Sequence, residues 1–549
     1  MLPIQRQFNL TPTQEEAVVT STVLSAFIFS LIGGSLNNKL GRRLSILFAS
    51  FVFTIGSLLL AFAWDVKSLI FGRLIIGVGI GVASLTTPVY ISEMAKPSLR
   101  GTLVTMNALL IPFGQFFAGM VDGILSSTPH GWRYMLGLAA VPSVIMLFGF
   151  LILPESPRWL ASKGRYQEAK RILEEYRDTR REARQEIQEI IGSLQQDNKS
   201  GLRMNHTSDC LEYDMEDIDS PHENSFFERL RLMIVDAPTR RAMCVGCGIM
   251  LFQQLCGINT VMYYAASIFK MSGNFSETAS IWLSGFTALA QVFGVALSIF
   301  FVERAGRRQL VLFSLGSVTL CLAALSVAFY CDRVSSAPVT YATDECSMQP
   351  AVVWSGKTQY CYDCMEIPGC AYFSGPNGVG ICSSRTSSYP LSEGYTHYTD
   401  SCPALPSARL SGYASVVFMF LYLLFFGIGM GGLPWTINSE IYPLRHRSMA
   451  VSLSTATNWL SNIVVSASFL SISSPASLTV YGAFWMYGCV AFLGFIFVYC
   501  TLPETKGLSL EEIELLFQKR SRIDPCQFFS SEKYESEILQ PIATNTERV

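Results

Sequence analysis

The chain alternates between long uncharged runs and short polar stretches. Eleven apolar runs occupy 17–37, 44–64, 69–91, 102–124, 134–153, 242–269, 279–302, 309–330, 413–436, 449–472 and 480–502. About 20 helical residues, each rising 1.5 Å, span the ~30 Å hydrocarbon core of a bilayer. Backbone in hydrocarbon must satisfy its own hydrogen bonds, so an uncharged run of that length crosses as a helix. The pattern predicts an all-α polytopic membrane protein.

Two long segments interrupt the runs. Residues 154–241 are charged, and "YQEAKRILEEYRDTRREARQEIQEIIGSL" reads as amphipathic helix. Residues 331–412 hold Cys346, Cys361, Cys364, Cys370, Cys382 and Cys402. The short loops on one side carry ten basic residues, including Lys39, Arg42, Arg43, Lys96 and Arg100, against Lys67, Arg133 and Lys270 on the other. The positive-inside rule makes the ten-residue side cytoplasmic, with the C-terminus inside and the N-terminus outside. The cysteine segment then faces the oxidising side. Its six cysteines predict three disulfides, with fifteen pairings open. "CYDCMEIPGC" contains a C-x-x-C, but no His pair follows at ligand spacing, so no metal is expected. The sequon at Asn274 lies outside and is a glycosylation candidate; those at Asn198 and Asn205 lie inside.

Composition narrows the class further. Half of the residues are hydrophobic and 15% are charged, against about a quarter charged in soluble domains. A net charge of −2 gives nucleic acid nothing to bind, and the lipid membrane is the implied environment. The first sixteen residues lack the apolar core of a cleavable signal and end in Glu15 and Glu16. No nucleophile–base pair, metal cluster or phosphate loop points to an enzyme, and no cofactor is implied.

The chain also repeats itself. "NNKLGRR" at 37–43 recurs as "VERAGRR" at 302–308, and "PESPRW" at 154–159 is echoed by "PETKG" at 503–507. The two offsets, 265 and 349 residues, differ by about the length of the cysteine segment. The second half is therefore the first half plus one insert. Two runs precede the motif in the second half and one in the first, so the first half is short by one helix.

These motifs resemble the sugar porter branch of the major facilitator superfamily. The matches, in order, are "LGRR", "PVYISEMAKPSLRG", "PESPRWL", "QQLCGIN", "VERAGRR", "LPWTINSEIYPLRHR" and "LPETKG", from residue 17 to about 517. The external insert is similar to the plexin-type module of the animal proton–myo-inositol cotransporters within that branch. "GWRYMLGLAAVP" and "TRRAMCVGCG" point the same way. The resemblance implies two six-helix bundles with substrate between them near mid-membrane, a plasma-membrane location, and a missing helix before Met1. The implied organisation is an N-terminal bundle at 1–153, a cytoplasmic helical loop at 154–241, and the first part of a C-terminal bundle at 242–330. The external disulfide-rich module at 331–412 follows, then the rest of the C-terminal bundle at 413–507 and a cytoplasmic tail at 508–549.

A polyol presents hydroxyls that both donate and accept, so its site needs amides among aromatic faces. "MLFQQLCGINTVMYY" supplies them. On one continuous helix Gln254 and Asn259 are about 500° apart, and Tyr263 follows Asn259 at i+4. By resemblance Gln253, Gln254 and Asn259 are the sugar-binding amides, Trp435 stacks on the ring, and Asn458, Gln291 and Asn438 complete the second half. The family's usual glutamine on the fifth helix aligns with Ala108, and Gln115, two turns on, takes its place on the same face. The alanine reads as a sign that the ligand is not an ordinary hexose.

Arg73 stands alone in an uncharged run that lasts until Glu93. A charge at mid-bilayer costs about 2.5–3.5 kcal/mol on insertion scales. In proton-coupled relatives an aspartate on the first helix faces this arginine. That acid partner is absent from this chain, so the family's activity and this chain's are separate expectations: a chain starting at Met1 is expected to couple poorly to protons or not to transport. Asp122 is the carboxylate inside a neighbouring run. The resemblance further assigns a cytoplasmic charge latch to Arg42, Arg43, Glu93, Arg100, Glu155, Arg158, Arg304, Arg308, Glu440 and Arg447. Asn38 stands where relatives carry aspartate. The expected activity is proton-coupled symport of myo-inositol or a related polyol or hexose. The alternatives are a facilitative hexose carrier, or a transport-deficient receptor whose cysteine module binds an extracellular protein.

Overall fold

A computed structural model describes residues 4, 7–8, 12–96, 99–125, 128–205, 226–271, 277–342, 346, 360–366, 369–375, 380–384, 395–398, 402, 406–443, 447–473, 478–506, 513 and 516–517. The first half is built from α1 (Pro12–Leu40), α2 (Arg42–Ala61), α3 (Val66–Met94), α4 (Arg100–Leu125) and the broken pair α5 (Gly131–Leu138) and α6 (Ala140–Ile152). Short amphipathic helices follow: α7 (Pro157–Ser162), α8 (Tyr166–Tyr176), α9 (Arg180–Asn205) and α10 (Phe226–Val235). The second half opens with α11 (Ala237–Leu255), α12 (Ile258–Met271), α13 (Glu277–Ala305) and α14 (Arg307–Ser335). After the cysteine module it resumes with α16 (Pro406–Phe426), a π-helical turn (Gly427–Gly431), α17 (Leu433–Glu440), α18 (Arg447–Ile472) and α19 (Thr479–Thr501).

Among the described residues ten segments are long and apolar enough to cross a membrane. The eleventh expected span, α18, forms as a 26-residue helix but is too rich in Ser, Thr and Asn to be counted with them. Its polar side chains are buried: Ser452, Ser454, Thr455, Asn458, Ser461, Asn462 and Ser466 face protein. Burial against other helices lets a span carry polar groups that lipid would not tolerate.

The repeat in sequence becomes a repeat in packing. Helix α1 lies along α18, and its counterpart α13 lies along α4. Both contacts join the two halves. Ser452 Oγ donates to the Ser30 carbonyl at 2.6 Å in the first. In the second, Gly119 approaches Gly285 so closely that a Cβ on Gly119 would lie 2.6 Å from the Gly285 Cα. Local signals set the helix ends. Asp65 caps α3: it accepts the Ser68 N–H at 2.7 Å while Ser68 Oγ accepts the Asp65 N–H. The Ser68 hydrogen bonds hold the Asp65 carboxyl below the usual range.

The cysteine module settles the pairing that the sequence left open: Cys346–Cys370, Cys361–Cys402 and Cys364–Cys382. It combines β1 (Tyr341–Ala342), α15 (Cys361–Glu366), β2 (Cys370–Ser374), β3 (Gly380–Ser384) and β4 (Thr396–Tyr398), with sheet order β1-β3-β2-β4. Strands β2 and β3 pair antiparallel, with Tyr372 opposite Cys382. The module is tied to the end of α14, where Arg333 Nε donates to Asp363 Oδ1 at 2.6 Å. The Cys361 N–H also donates to the Ala337 carbonyl at 2.7 Å. Asn274 lies outside the described residues.

Candidate functional site

The amide-rich segment is not one helix. Gly257 adopts φ +84° and separates α11 from α12, so angular arithmetic on a continuous helix does not hold across it. The break turns Asn259 back, and its Nδ2 donates to Gln254 Oε1. Gln254 Nε2 donates to Asn458 Oδ1 at 3.0 Å. Asn458 Nδ2 donates to Gln253 Oε1 at 2.7 Å, and Gln253 Nε2 donates to the Met430 carbonyl at 2.6 Å. Four amides from three helices thus form one chain ending on the π-helical turn. That turn interrupts the usual i→i−4 pattern, and the Met430 carbonyl takes a side-chain donor instead. Its glycines permit close approach: a Cβ on Gly427 would lie 2.7 Å from the Gln291 carbonyl oxygen, and one on Gly429 would lie 2.5 Å from that of Leu310.

Two further amides flank the chain with acceptors unused. Gln291 Oε1 and Asn462 Oδ1 are buried without a hydrogen-bond partner among the described residues. Asn462 sits one turn beyond Asn458 on α18, and its Nδ2 donates to the Tyr263 hydroxyl at 3.3 Å. The sequence reading missed Asn462; its i+4 spacing from Asn458 was the available signal. Tyr263 is 38% exposed. An orphaned buried carbonyl normally costs about 1–3 kcal/mol, so each marks a place where a hydroxyl donor would be welcome.

The other expected ligands sort differently. Trp435 is half-buried at the start of α17. Asn438 is only 1% exposed, and its amide is engaged by Pro434, Gly246 and Tyr442. Gln115 is half-buried on α4, with no hydrogen bond among the described residues. Ala108 is 5% exposed and lies against the other half: a Cβ on Gly432 would be 3.0 Å from its methyl. Arg73 Nε is buried without a hydrogen-bond partner among the described residues.

The charged motifs form two matching networks at the GRR end. In the first half Glu155 accepts the backbone N–H groups of Arg42 (2.9 Å) and Arg43 (3.1 Å). Arg42 Nη2 pairs with Glu93 Oε1 at 2.9 Å, and Ser156 Oγ donates to Glu93 Oε2. In the second half Glu504 accepts the N–H groups of Arg307 (2.9 Å) and Arg308 (3.1 Å). Arg307 pairs with Glu440 at 3.6 Å, and Thr505 Oγ1 donates to Glu440 at 3.2 Å. Each of these contacts ties helix ends within one half. Arg307, Glu504, Ser156 and Thr505 were not singled out from the sequence, though doubling the motif would have found them.

The remaining arginines do other things. Arg43 and Arg308 also donate to carbonyls, of Leu151 (2.6 Å) and Tyr499 (2.9 Å) respectively. Arg447 donates to the Tyr442 carbonyl at 3.1 Å. Arg304 is exposed, its guanidinium 4.4 Å from the Phe300 ring centre. Arg158 Nε has no partner among the described residues, and Arg100 opens α4.

Two repeated helical halves with a buried amide cluster and hydrogen-bonded charged ends define a multi-pass membrane transporter for polar organic solutes. The model of the sugar (and other) transporter family matches residues 5–343 and 396–517, leaving most of the cysteine module outside it. The chain belongs to that family, the sugar porters of the major facilitator superfamily. It is 41% identical to the human proton myo-inositol cotransporter over 95% of this chain and 78% of that one. It is 34% identical to inositol transporter 4 of Arabidopsis thaliana (92% and 85%), and 30% identical to the galactose-proton symporter of Escherichia coli (95% and 89%). The proton:xylose symporter XylE bound to 6-bromo-6-deoxy-D-glucose shares the fold, with TM-score 0.67, 24% identity and coverage of 93% and 91%.

Proposed function

We propose that the chain carries myo-inositol, or a closely related polyol or hexose, together with protons by alternating access. The observation that carries this reading is the amide chain Gln253–Asn458–Gln254–Asn259, flanked by the unused acceptors of Gln291 and Asn462. A ring with hydroxyls on every carbon supplies donors for those acceptors and acceptors for neighbouring N–H groups. Tyr263 and Trp435 provide aromatic faces for its C–H surface, and Gln115 adds an amide from the first half. Relatives 41% and 34% identical to this chain over their aligned lengths are named as a proton myo-inositol cotransporter and a probable inositol transporter, which supports the same substrate class.

Proton coupling is assigned to Arg73, whose Nε is buried without a hydrogen-bond partner among the described residues, with Asp122 of the adjacent α4 as its carboxylate. Protonating a carboxylate frees its arginine and lowers the cost of moving one half against the other. The networks around Glu155 and Glu504 keep the GRR ends of the halves rigid during that motion. The positive-inside rule places those ends, and the C-terminus, in the cytoplasm of a cell whose plasma membrane holds the protein. On this reading the cysteine module is an extracellular appendage of the C-terminal bundle.

The test is uptake of radiolabelled myo-inositol into proteoliposomes with an inward proton gradient, with glucose measured in parallel. Accumulation above equilibrium that a protonophore abolishes is the expected result. Uptake that only equilibrates, whatever the gradient, makes the protein a facilitative carrier and overturns the proton step. No uptake of either solute overturns the substrate assignment.

A further inference from the structure

Arg177 lies between α8 and α9, outside every span, yet its side chain is only 3% exposed. Its Nε donates to Glu186 Oε2 at 2.6 Å and its Nη2 to Glu186 Oε1 at 3.0 Å. This is the two-pronged geometry that a planar guanidinium makes with a carboxylate. A third donor goes elsewhere: Nη1 reaches the Met94 carbonyl at 3.1 Å. Met94 is the last residue of α3. The final carbonyls of a helix lack intrahelical donors, and a cation there also complements the helix dipole.

The residue before Met94 is Glu93, which accepts both Arg42 Nη2 and Ser156 Oγ. Its two oxygens are thus committed to different elements, α2 and the start of α7. That arrangement requires the last turn of α3 to be held in place. Two residues further, Lys96 pairs with Asp178, but these side chains are 33% and 70% exposed, and such pairs contribute little. Arg177 is the buried link. Packing among α7, α8 and α9 does not need its third donor, because Leu160, Ala169, Leu173, Ala183 and Ile187 already form a shared core.

We propose that Arg177 is a positioning residue. Through it the loop helices hold the end of α3 so that Glu93 stays aimed at Arg42 and Ser156. It sets how readily the first half changes conformation and has no role in gripping solute. The inference goes beyond the transport reading, since it does not depend on which solute is carried.

The experiment uses the full chain in proteoliposomes with R177K, the swap R177E/E186R, E93Q and R177K/E93Q. Hydrogen–deuterium exchange is followed at residues 91–96 without solute, and myo-inositol uptake is followed in parallel. Arg177 uses three separate nitrogens for these contacts and a lysine has one, so it cannot keep the two-pronged Glu186 contact and the reach to Met94 at once; R177K is expected to speed exchange at 91–96 by about tenfold, as for local opening of one turn. Exchange in the middle of α3 stays as in the wild type. Maximal uptake falls while the half-saturating concentration changes less than about twofold, the signature of a step after binding. The swap restores an Arg–Glu pair and normal exchange in α8 and α9, but leaves the end of α3 loosened, because the donor to Met94 is gone. R177K/E93Q transports no worse than E93Q. Unchanged exchange at 91–96 in R177K, or a swap that restores that exchange, overturns the proposal. If the wild type carries no myo-inositol, the substrate reading fails, while the exchange data still decide the role of Arg177.

Discussion

Asn458 and Gln253 lie 205 residues apart in sequence, yet the amide of one donates to the carbonyl of the other at 2.7 Å. Asn458 at the same time accepts from Gln254. It is the hub through which α18 fixes the rotamers of both glutamines on α11. N458A leaves the Gln253 oxygen and the Gln254 amide without these partners, at a cost of about 1–3 kcal/mol each. The expected outcome is at least a tenfold rise in the half-saturating myo-inositol concentration, or about 1.4 kcal/mol. It is read from uptake normalised to folded protein. Kinetics within twofold of wild type would remove the hub from the site.

Gln291 and Asn438 predict opposite phenotypes. The Gln291 oxygen has no partner among the described residues, so Q291A removes an unsatisfied acceptor and leaves thermal stability unchanged or raised. Solute affinity falls. Asn438 is engaged by Gly246, Pro434 and Tyr442, so N438A lowers the melting temperature by several degrees, corresponding to roughly 1–2 kcal/mol, with little change in affinity. Thermal unfolding in detergent, with and without myo-inositol, separates the two. A destabilised Q291A with normal affinity would reverse the assignment.

Gly41 and Gly306 should behave as twins. Their φ values are +91° and +90°, and an added Cβ would meet the carboxylate of Glu155 at 2.4 Å and of Glu504 at 2.5 Å. G41A and G306A each combine a left-handed backbone with a steric conflict, a strain of about 1–3 kcal/mol. Both are expected to lower the melting temperature by similar amounts. A tolerated alanine at either position would break the equivalence of the two networks.

The cysteine module gives a covalent test. Peptide mapping without reduction is expected to recover Cys346–Cys370, Cys361–Cys402 and Cys364–Cys382. D363N removes the charge that holds Arg333, a hydrogen-bonded ion contact of about 1.5–3 kcal/mol. Faster proteolysis between residues 343 and 405, with solute affinity unchanged, is the expected effect. Equal cleavage rates would show that the strap from α14 contributes nothing.

The pattern of runs located the helices well, because a backbone in lipid has few other options. Of the site, the residue types were legible and their pairings were not. "QQLCGIN" announced amides, but Gly257 turns Asn259 back toward Gln254 by a backbone choice that periodicity cannot express. Asn438 looks as ligand-like in sequence as Asn458; only their neighbours distinguish them. The charged motifs pointed to arginines and acids, and the structure adds that Glu155 and Glu504 grip backbone N–H groups beside the arginines.

The sequence by itself determined the membrane class, the doubling of the chain, the three-disulfide count and the presence of buried amides, since these follow from hydropathy, motif spacing and composition. Only the tertiary structure decided which cysteines join, which amides satisfy one another and which buried acceptors lack a partner among the described residues. Those outcomes depend on contacts between residues tens to hundreds of positions apart, and such contacts are set by how whole helices pack, not by anything local to either partner.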